Sequence, residues 1–182
     1  MKINQLVKFG LILGVICLAA TFVLAVTYEI TKPKIEAQLK REEDAALKAI
    51  MPLADSFTER TTDGIEYFEA IKNGDIIGYC IRASGVGYNG YIRMIVGIDR
   101  SGIIKGIDVL EQYETPGLGN KIEEIRHGDR DPWFLQQFIG KDARSVAIKK
   151  DIDAITGATI SSKAVTDAVN KTVSEFMEKV KR

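Results

Sequence analysis

The chain has 182 residues, enough for one domain of ordinary size with an appendage. Its 25 Lys and Arg balance its 25 Asp and Glu, a distribution without the basic surplus that marks nucleic-acid binding, and no nucleic-acid partner is expected. Two cysteines exclude a disulfide-rich scaffold and a four-cysteine metal or iron–sulfur site, and a single histidine excludes a multi-histidine site within the chain.

From Phe9 to Tyr28 the chain contains no Asp, Glu, Lys, Arg, Asn, Gln or His. Twenty residues of helix rise about 30 Å, the thickness of a bilayer's hydrocarbon core. A single uncleaved membrane anchor is expected. The alternative is a cleaved signal peptide, with Lys2 and Lys8 as its basic start and a cut after Ala25; the run exceeds the usual apolar region of about 7–15 residues, which favours the anchor. Cys17 inside the run reads as a small apolar packing residue. Lys2 and Lys8 precede the run, whereas Lys32, Lys34, Lys40 and Arg41 follow it, so a Lys/Arg count alone puts the rest of the chain in the cytoplasm.

Thr31-Lys32-Pro33 reads as an exit and helix restart, with proline at an early helical position. Lys34 to Ile50 then forms a charged amphipathic helix ended by Pro52, a stalk or a solvated linker. Gly64 to Gly119 holds 11 of the 16 glycines and is β in character. Ile65–Lys72 and Asp75–Ser84 flank Asn73-Gly74, a two-residue hairpin turn. Tyr91–Asp99 and Ile103–Leu110 flank Arg100-Ser101-Gly102, a second hairpin. Four antiparallel strands follow from these signals. Asp131–Phe138 is a short helical piece, Val146–Lys149 a candidate further strand, and a last helix runs from Ser161 or Ser162 to Lys181, its apolar face traced by Ala164, Val165, Ala168, Val169, Val173, Phe176, Met177 and Val180. The expected architecture is α+β: one transmembrane helix, then an antiparallel sheet packed against helices.

Three segments can carry chemistry. Asp153-Ala154-Ile155-Thr156-Gly157-Ala158-Thr159-Ile160-Ser161-Ser162 places hydroxyls and a glycine before a helix, where free N–H groups attract an anion; an ordinary Ser/Thr helix cap fits the same residues. Glu114-Thr115-Pro116-Gly117-Leu118-Gly119 makes a rigid loop able to bring backbone close to a flat or anionic ligand, or else a plain strand-to-helix connection. Gly85-Val86-Gly87-Tyr88-Asn89-Gly90-Tyr91 offers close backbone approach and two aromatic faces, and reads equally as a hairpin connection. His127 reads as an exposed loop residue and Cys80 as buried and inert.

In order and spacing these segments resemble the FMN-binding domain family, and within it the G subunits of Rnf electron-transport complexes, relatives of the C subunits of sodium-pumping NADH:quinone reductases. The likeness rests on the single N-terminal span, the Gly-Tyr-x-Gly segment followed by Ile95-Val96-Gly97-Ile98-Asp99, the Glu114–Gly119 loop and the Thr-Gly-Ala-Thr segment. It implies that Asp153, Thr156, Gly157, Ala158 and Thr159 form a flavinylation motif, with Thr159 esterified through oxygen to the phosphate of FMN. Glu114, Thr115, Leu118 and Gly119 are implied contacts of the flavin ring, and Tyr88 and Ser161 complete the implied flavin-binding set.

The resemblance further implies a domain outside the cytoplasm, a cytoplasmic (inner) membrane location and a flavin transferase using FAD and Mg²⁺ for maturation. The implied function is a flavoprotein subunit relaying electrons in ferredoxin:NAD⁺ transfer coupled to Na⁺ or H⁺ translocation. Its partners are the other subunits of such a complex and the lipid bilayer. It has no catalytic residue and no metal site of its own, since the chemistry resides in the cofactor. The expected organisation is residues 1–32 as anchor, 33–60 as stalk and 61–182 as FMN-binding domain. Open alternatives are the C subunit of a sodium-pumping quinone reductase, a stand-alone extracytoplasmic flavin carrier and a non-redox anchored assembly module.

Overall fold

The computed structural model describes residues 3–180, so Lys2 and Lys181 lie outside the described residues. Contacts divide the chain into two compact units, one ending at Glu42 and one beginning at Glu43.

The first unit is helical. α1 is assigned from Ile3 to Ile50, and among the described residues it alone is long and apolar enough to cross a membrane. Its large apolar side chains face outward, with Leu18 73% and Phe22 70% exposed, as suits a helix whose surroundings are hydrocarbon. The hydroxyls of Thr21 and Thr27 donate to the carbonyls of Cys17 and Val23, each at 2.8 Å, so neither is left unpaired in an apolar setting. The restart expected at Thr31-Lys32-Pro33 does not occur, because Pro33 lies inside α1. Proline deletes one intrahelical hydrogen bond; the Glu, Ala, Gln, Leu and Lys residues that follow are strong helix formers and keep the helix going.

The second unit is a five-stranded antiparallel meander in the order β1 (Ser56–Thr62), β2 (Ile65–Lys72), β3 (Asp75–Val86), β4 (Tyr91–Asp99) and β5 (Ile104–Glu111). The sequence pattern finds β2 to β5 but not β1. β1 is an edge strand of mostly polar residues, so it lacks the apolar alternation that marks a half-buried strand. Its turn, Asp63-Gly64, has φ of 49° and 78°, matching Asn73-Gly74 at 52° and 86°, the backbone that two-residue hairpins of opposite turn hand require. Val146–Lys149 is not a strand. Ile148 forms only an isolated bridge with Ile152, and the N–H groups of Asp151 and Ile152 both donate to the Ala147 carbonyl, closing a turn.

Both faces of the sheet are covered. On one, Tyr67, Ile81, Met94 and Ile98 pack against α2 (Trp133–Gln136) and α3 (Thr159–Lys179), where Phe134, Val165, Val169 and Phe176, with Phe138 just after α2, are fully buried. On the other, Ala46, Leu47 and Ile50 from the last turns of α1 join Phe68, Ala70, Cys80 and Ile95. There burial pushes the Cys80 thiol up to about 12, so it stays protonated and unreactive. Ile50 fills space left by two glycines: a Cβ at Gly97 would overlap its Cγ2, and one at Gly106 would lie 3.4 Å from its Cα. Beside it, Arg82 forks onto Glu43 at 2.6 and 2.9 Å, reaches Glu66 at 2.7 Å and Glu59 at 2.8 Å, and stacks on the Phe68 ring. Bonding to Glu43 above all holds the Arg82 guanidinium even further above neutrality than usual.

Candidate functional site

The site forms where three connections meet beside the α3 face of the sheet. The first is the β3–β4 loop, which presents Tyr88, 71% exposed. The second follows β5. Thr115-Pro116-Gly117-Leu118 is a turn closed by Leu118 N–H donating to the Thr115 carbonyl at 3.1 Å, with Gly117 at φ 78°. Proline then glycine at the two central positions is the type II pattern. The Asn120 side chain accepts from Gly117 N–H at 2.8 Å, and a 3₁₀ turn, Gly119–Glu123, begins at once. The third is the turn into α3. Gly157, at φ 80°, takes a left-handed conformation that a side chain disfavours, and a Cβ there would lie 3.1 Å from the Leu118 side chain.

α3 begins at Thr159, earlier than the Ser161 or Ser162 expected, and no side chain caps it. The serines are committed elsewhere. Ser162 Oγ accepts from Ile155 N–H and donates to the Ala158 carbonyl, both at 3.0 Å, pinning the preceding turn to the helix. Ser161 Oγ donates to the Glu114 carboxylate. Among the described residues the Thr159 hydroxyl enters no such bond, and Thr159 is exposed at the first helical position. The first backbone N–H to bond within α3 is that of Ser162. The N–H groups ahead of it are the unpaired donors of a helix start, and with the helix dipole they favour an anion.

These segments enclose a cavity of about 580 Å³ lined by Tyr88, Glu114, Thr115, Leu118, Gly119, Gly157, Ala158, Thr159, Ile160 and Ser161. That volume suits a cofactor-sized ligand. The cavity gathers most of the residues singled out in the sequence, from segments up to 73 positions apart. It does not gather Asp153 and Thr156. Both are exposed, and the Asp153 backbone is held by Gln137, whose side chain accepts from its N–H at 2.8 Å and donates to its carbonyl at 3.2 Å. Sequence reasoning missed Ile160, 55% exposed on the cavity wall; an apolar residue in the exposed first turn of an otherwise amphipathic helix was the available signal. It also missed Asn89, whose backbone N–H donates to Glu114 at 3.0 Å; a main-chain role leaves no trace in residue type. His127 is exposed in its loop.

The donor set fits FMN. Unpaired N–H groups and a free hydroxyl at one end suit a phosphate, and the ring of Tyr88 with the apolar side chains of Leu118 and Ile160 suits a ring system.

Comparison with known proteins points to the same cofactor. Residues 87–174 match the FMN-binding domain family and residues 1–50 match the RnfG N-terminal region. The chain is 31% identical over 195 residues to the G subunit of the Na⁺-translocating ferredoxin:NAD⁺ oxidoreductase complex of Acetobacterium woodii, covering 93% of this chain and 90% of that protein. It is 33% identical to the G subunit of the ion-translocating oxidoreductase complex of Shewanella piezotolerans, covering 96% and 91%. The corresponding protein of Haemophilus influenzae is 35% identical, with 90% and 86% covered. Among solved structures, the C subunit of the Na⁺-translocating NADH-quinone reductase of Parabacteroides distasonis superposes with a TM-score of 0.50 at 28% identity, covering 63% of this chain and 61% of that one.

Proposed function

The chain belongs to the family of G subunits of ion-translocating oxidoreductase (Rnf) complexes, and from that premise we propose that it holds FMN covalently, as a phosphoester of Thr159, and relays electrons within such a complex. The observation that carries this reading is the division of labour among hydroxyls at the start of α3. Ser161 and Ser162 are both tied to other groups, and Thr159 faces the cavity with its hydroxyl free.

In the attachment step the Thr159 oxygen bonds to the FMN phosphorus of FAD, the pyrophosphate bond breaks and AMP leaves. The hydroxyl proton would pass to solvent or to the transferase, with Mg²⁺ supplying the charge that would offset the phosphates. The product is a diester with one negative charge at the N-terminus of α3, where the dipole stabilises it. The bound flavin supplies the redox chemistry. This chain's own residues would fix its place: Gly157 and Ala158 shape the turn before Thr159, and Tyr88, Thr115, Leu118 and Gly119 line the cavity. Asp153 and Thr156, outside the cavity, act as elements of the motif that the flavin transferase reads.

In this reading residues 1–32 anchor the chain in the inner membrane, 33–60 lead away from it and 61–182 carry the flavin on the extracytoplasmic side, with the other Rnf subunits as partners. A domain of this length translocates largely regardless of local Lys/Arg bias. Outside the cytoplasm no pool of FMN replaces lost cofactor, which gives the covalent bond its purpose. The electron transfer joins ferredoxin to NAD⁺ and drives Na⁺ or H⁺ across the membrane.

The test is Thr159→Ala co-expressed with a flavin transferase. Covalent flavin fluorescence in a denaturing gel is expected to vanish while the circular-dichroism spectrum is kept; fluorescence that persists overturns the assignment. Protease added to intact spheroplasts reads the sidedness, and protection of the domain there would place it in the cytoplasm.

A further inference from the structure

Glu114 is a buried carboxylate, 5% exposed, in a molecule whose other acidic residues stay at the surface or half-buried. The resemblance alone makes it a contact of the flavin ring. In the structure both of its oxygens are already engaged. Oε1 accepts from the backbone N–H of Asn89, 25 residues earlier, at 3.0 Å, and Oε2 accepts from the hydroxyl of Ser161, 47 residues later. Its own N–H donates to the Gln112 side chain at 2.7 Å, which fixes the backbone from which it reaches. One side chain therefore ties together the β3–β4 loop, the loop after β5 and the first turn of α3.

Two glycines keep room for it. A Cβ at Gly87 would overlap Glu114 Oε1 and lie 2.9 Å from its Cδ. One at Gly119 would overlap Oε2, and would meet Ser161 Oγ at 2.6 Å and Glu114 Cβ at 2.8 Å. Neither distance is one that real Cβ atoms keep, so the backbone on both sides is shaped around this carboxylate. Ser161 is the third residue of α3, two positions after Thr159, and itself 2% exposed. Fixing its hydroxyl fixes the rotational phase of the helix start. With α3 uncapped by any local side chain, Glu114 is also the group that steadies that turn from outside the helix.

We propose that Glu114 is a positioning residue that acts through Ser161 to aim the acceptor hydroxyl of Thr159 into the cavity, an inference that rests on Thr159 being the attachment site. Its hydrogen bonds, not its contact with the ring, set how fast the chain accepts flavin. An amide keeps both bonds, since its oxygen accepts from Asn89 N–H and its NH₂ donates to Ser161 Oγ. Removal of the side chain leaves the buried Ser161 hydroxyl and the partly buried Asn89 N–H without this partner and frees the turn.

The experiment follows flavin attachment to the detergent-solubilised full chain, using purified flavin transferase, FAD and Mg²⁺, and reads initial rates by gel fluorescence and intact mass. Glu114→Ala and Ser161→Ala are each expected to slow attachment at least tenfold. Glu114→Gln is expected to retain a rate within about threefold of the parent. The double variant Glu114→Ala/Ser161→Ala is expected to be no slower than the slower single, because both remove one pathway. A parental rate in Glu114→Ala, a Gln variant as slow as the Ala variant, or a double variant whose loss is the product of the two singles overturns the proposal. Ser161→Ala and Glu114→Gln are small changes that keep the test readable if Glu114→Ala fails to fold. Thr159→Ala runs alongside: flavin retained there refutes the attachment site itself, whereas flavin lost there with Glu114→Ala at full rate refutes only the positioning role.

Discussion

The two faces of the sheet, one closed by α3 with α2 and the other by the last turns of α1, are built on different principles. Under α3 the contact is broad and made of large side chains: Phe176 stands with its ring centroid 5.0 Å from those of both Tyr67 and Tyr79, edge-on or tilted. Under the last turns of α1 the contact is narrow and made by omission, with Ile50 set where Gly97 and Gly106 have no side chain and with Arg82 gathering three glutamates at the margin. The first face carries the cavity and the second does not. α3 is held along its length by bulk and at its tip by polar bonds. A helix that only has to stay in place is held by shape.

Four changes break or sharpen that contrast, beginning with the largest. Phe176→Ala leaves a large void in the α3 face and should cost about 3–5 kcal/mol; the denaturant midpoint of Trp133 fluorescence measures it, and flavin acceptance should fall with it because α3 loses its seat. Gly97→Val forces a side chain into Ile50 and should cost about 1–3 kcal/mol by overpacking. Here the folded fraction should still take up flavin at the parental rate, since nothing at the cavity moves. If Gly97→Val slowed attachment as much as it lowered the midpoint, the two faces would not be independent.

Arg82→Met keeps most of the packing on Phe68 but leaves Glu43, Glu59 and Glu66 facing one another. These groups are partly solvated, so the loss should be about 1 kcal/mol, and 1 M salt should narrow the gap to the parent as it screens the carboxylates. An unchanged gap in high salt would assign the effect to packing instead.

The smallest effect concerns Asp108, half-buried in β5. Burial first, and then the like charge of Asp131, push its carboxyl above the usual carboxylate value. A folded-state pKa above the unfolded one gives stability that is complete below the unfolded pKa of about 3.9 and lost as pH rises through the folded value. At pH 7 the ionised group therefore weighs against folding. Asp108→Asn should raise the midpoint slightly at pH 7, by less than any change above, and leave it unchanged near pH 3.5. A gain equal at both pH values would show that charge is not the cause.

Much of this protein is local and can be read from the chain. The span follows from a charge-free run, because backbone groups in hydrocarbon can be satisfied only by a helix. β2 to β5 follow from apolar runs between turn residues, and Asn73-Gly74 and Thr115-Pro116-Gly117-Leu118 form the turns their chemistry dictates. Cys80 and the apolar stripe of α3 are buried as their periodicity and neighbours suggest. What the chain does not reveal is settled by pairing across long distances. β1 is a strand because β2 offers it an edge, not because its own polar residues favour one. Pro33 lies within a helix, although proline next to a charged segment reads as a boundary. Of the three hydroxyls in the first turn of α3, Ser162 binds the preceding turn and Ser161 a carboxylate 47 residues away, while that of Thr159 on the cavity wall stays free. Residue type fixes what a side chain can bond to. Which partner it meets is decided when the sheet, the loop after β5 and α3 close on one another, and no local pattern in the sequence encodes that meeting.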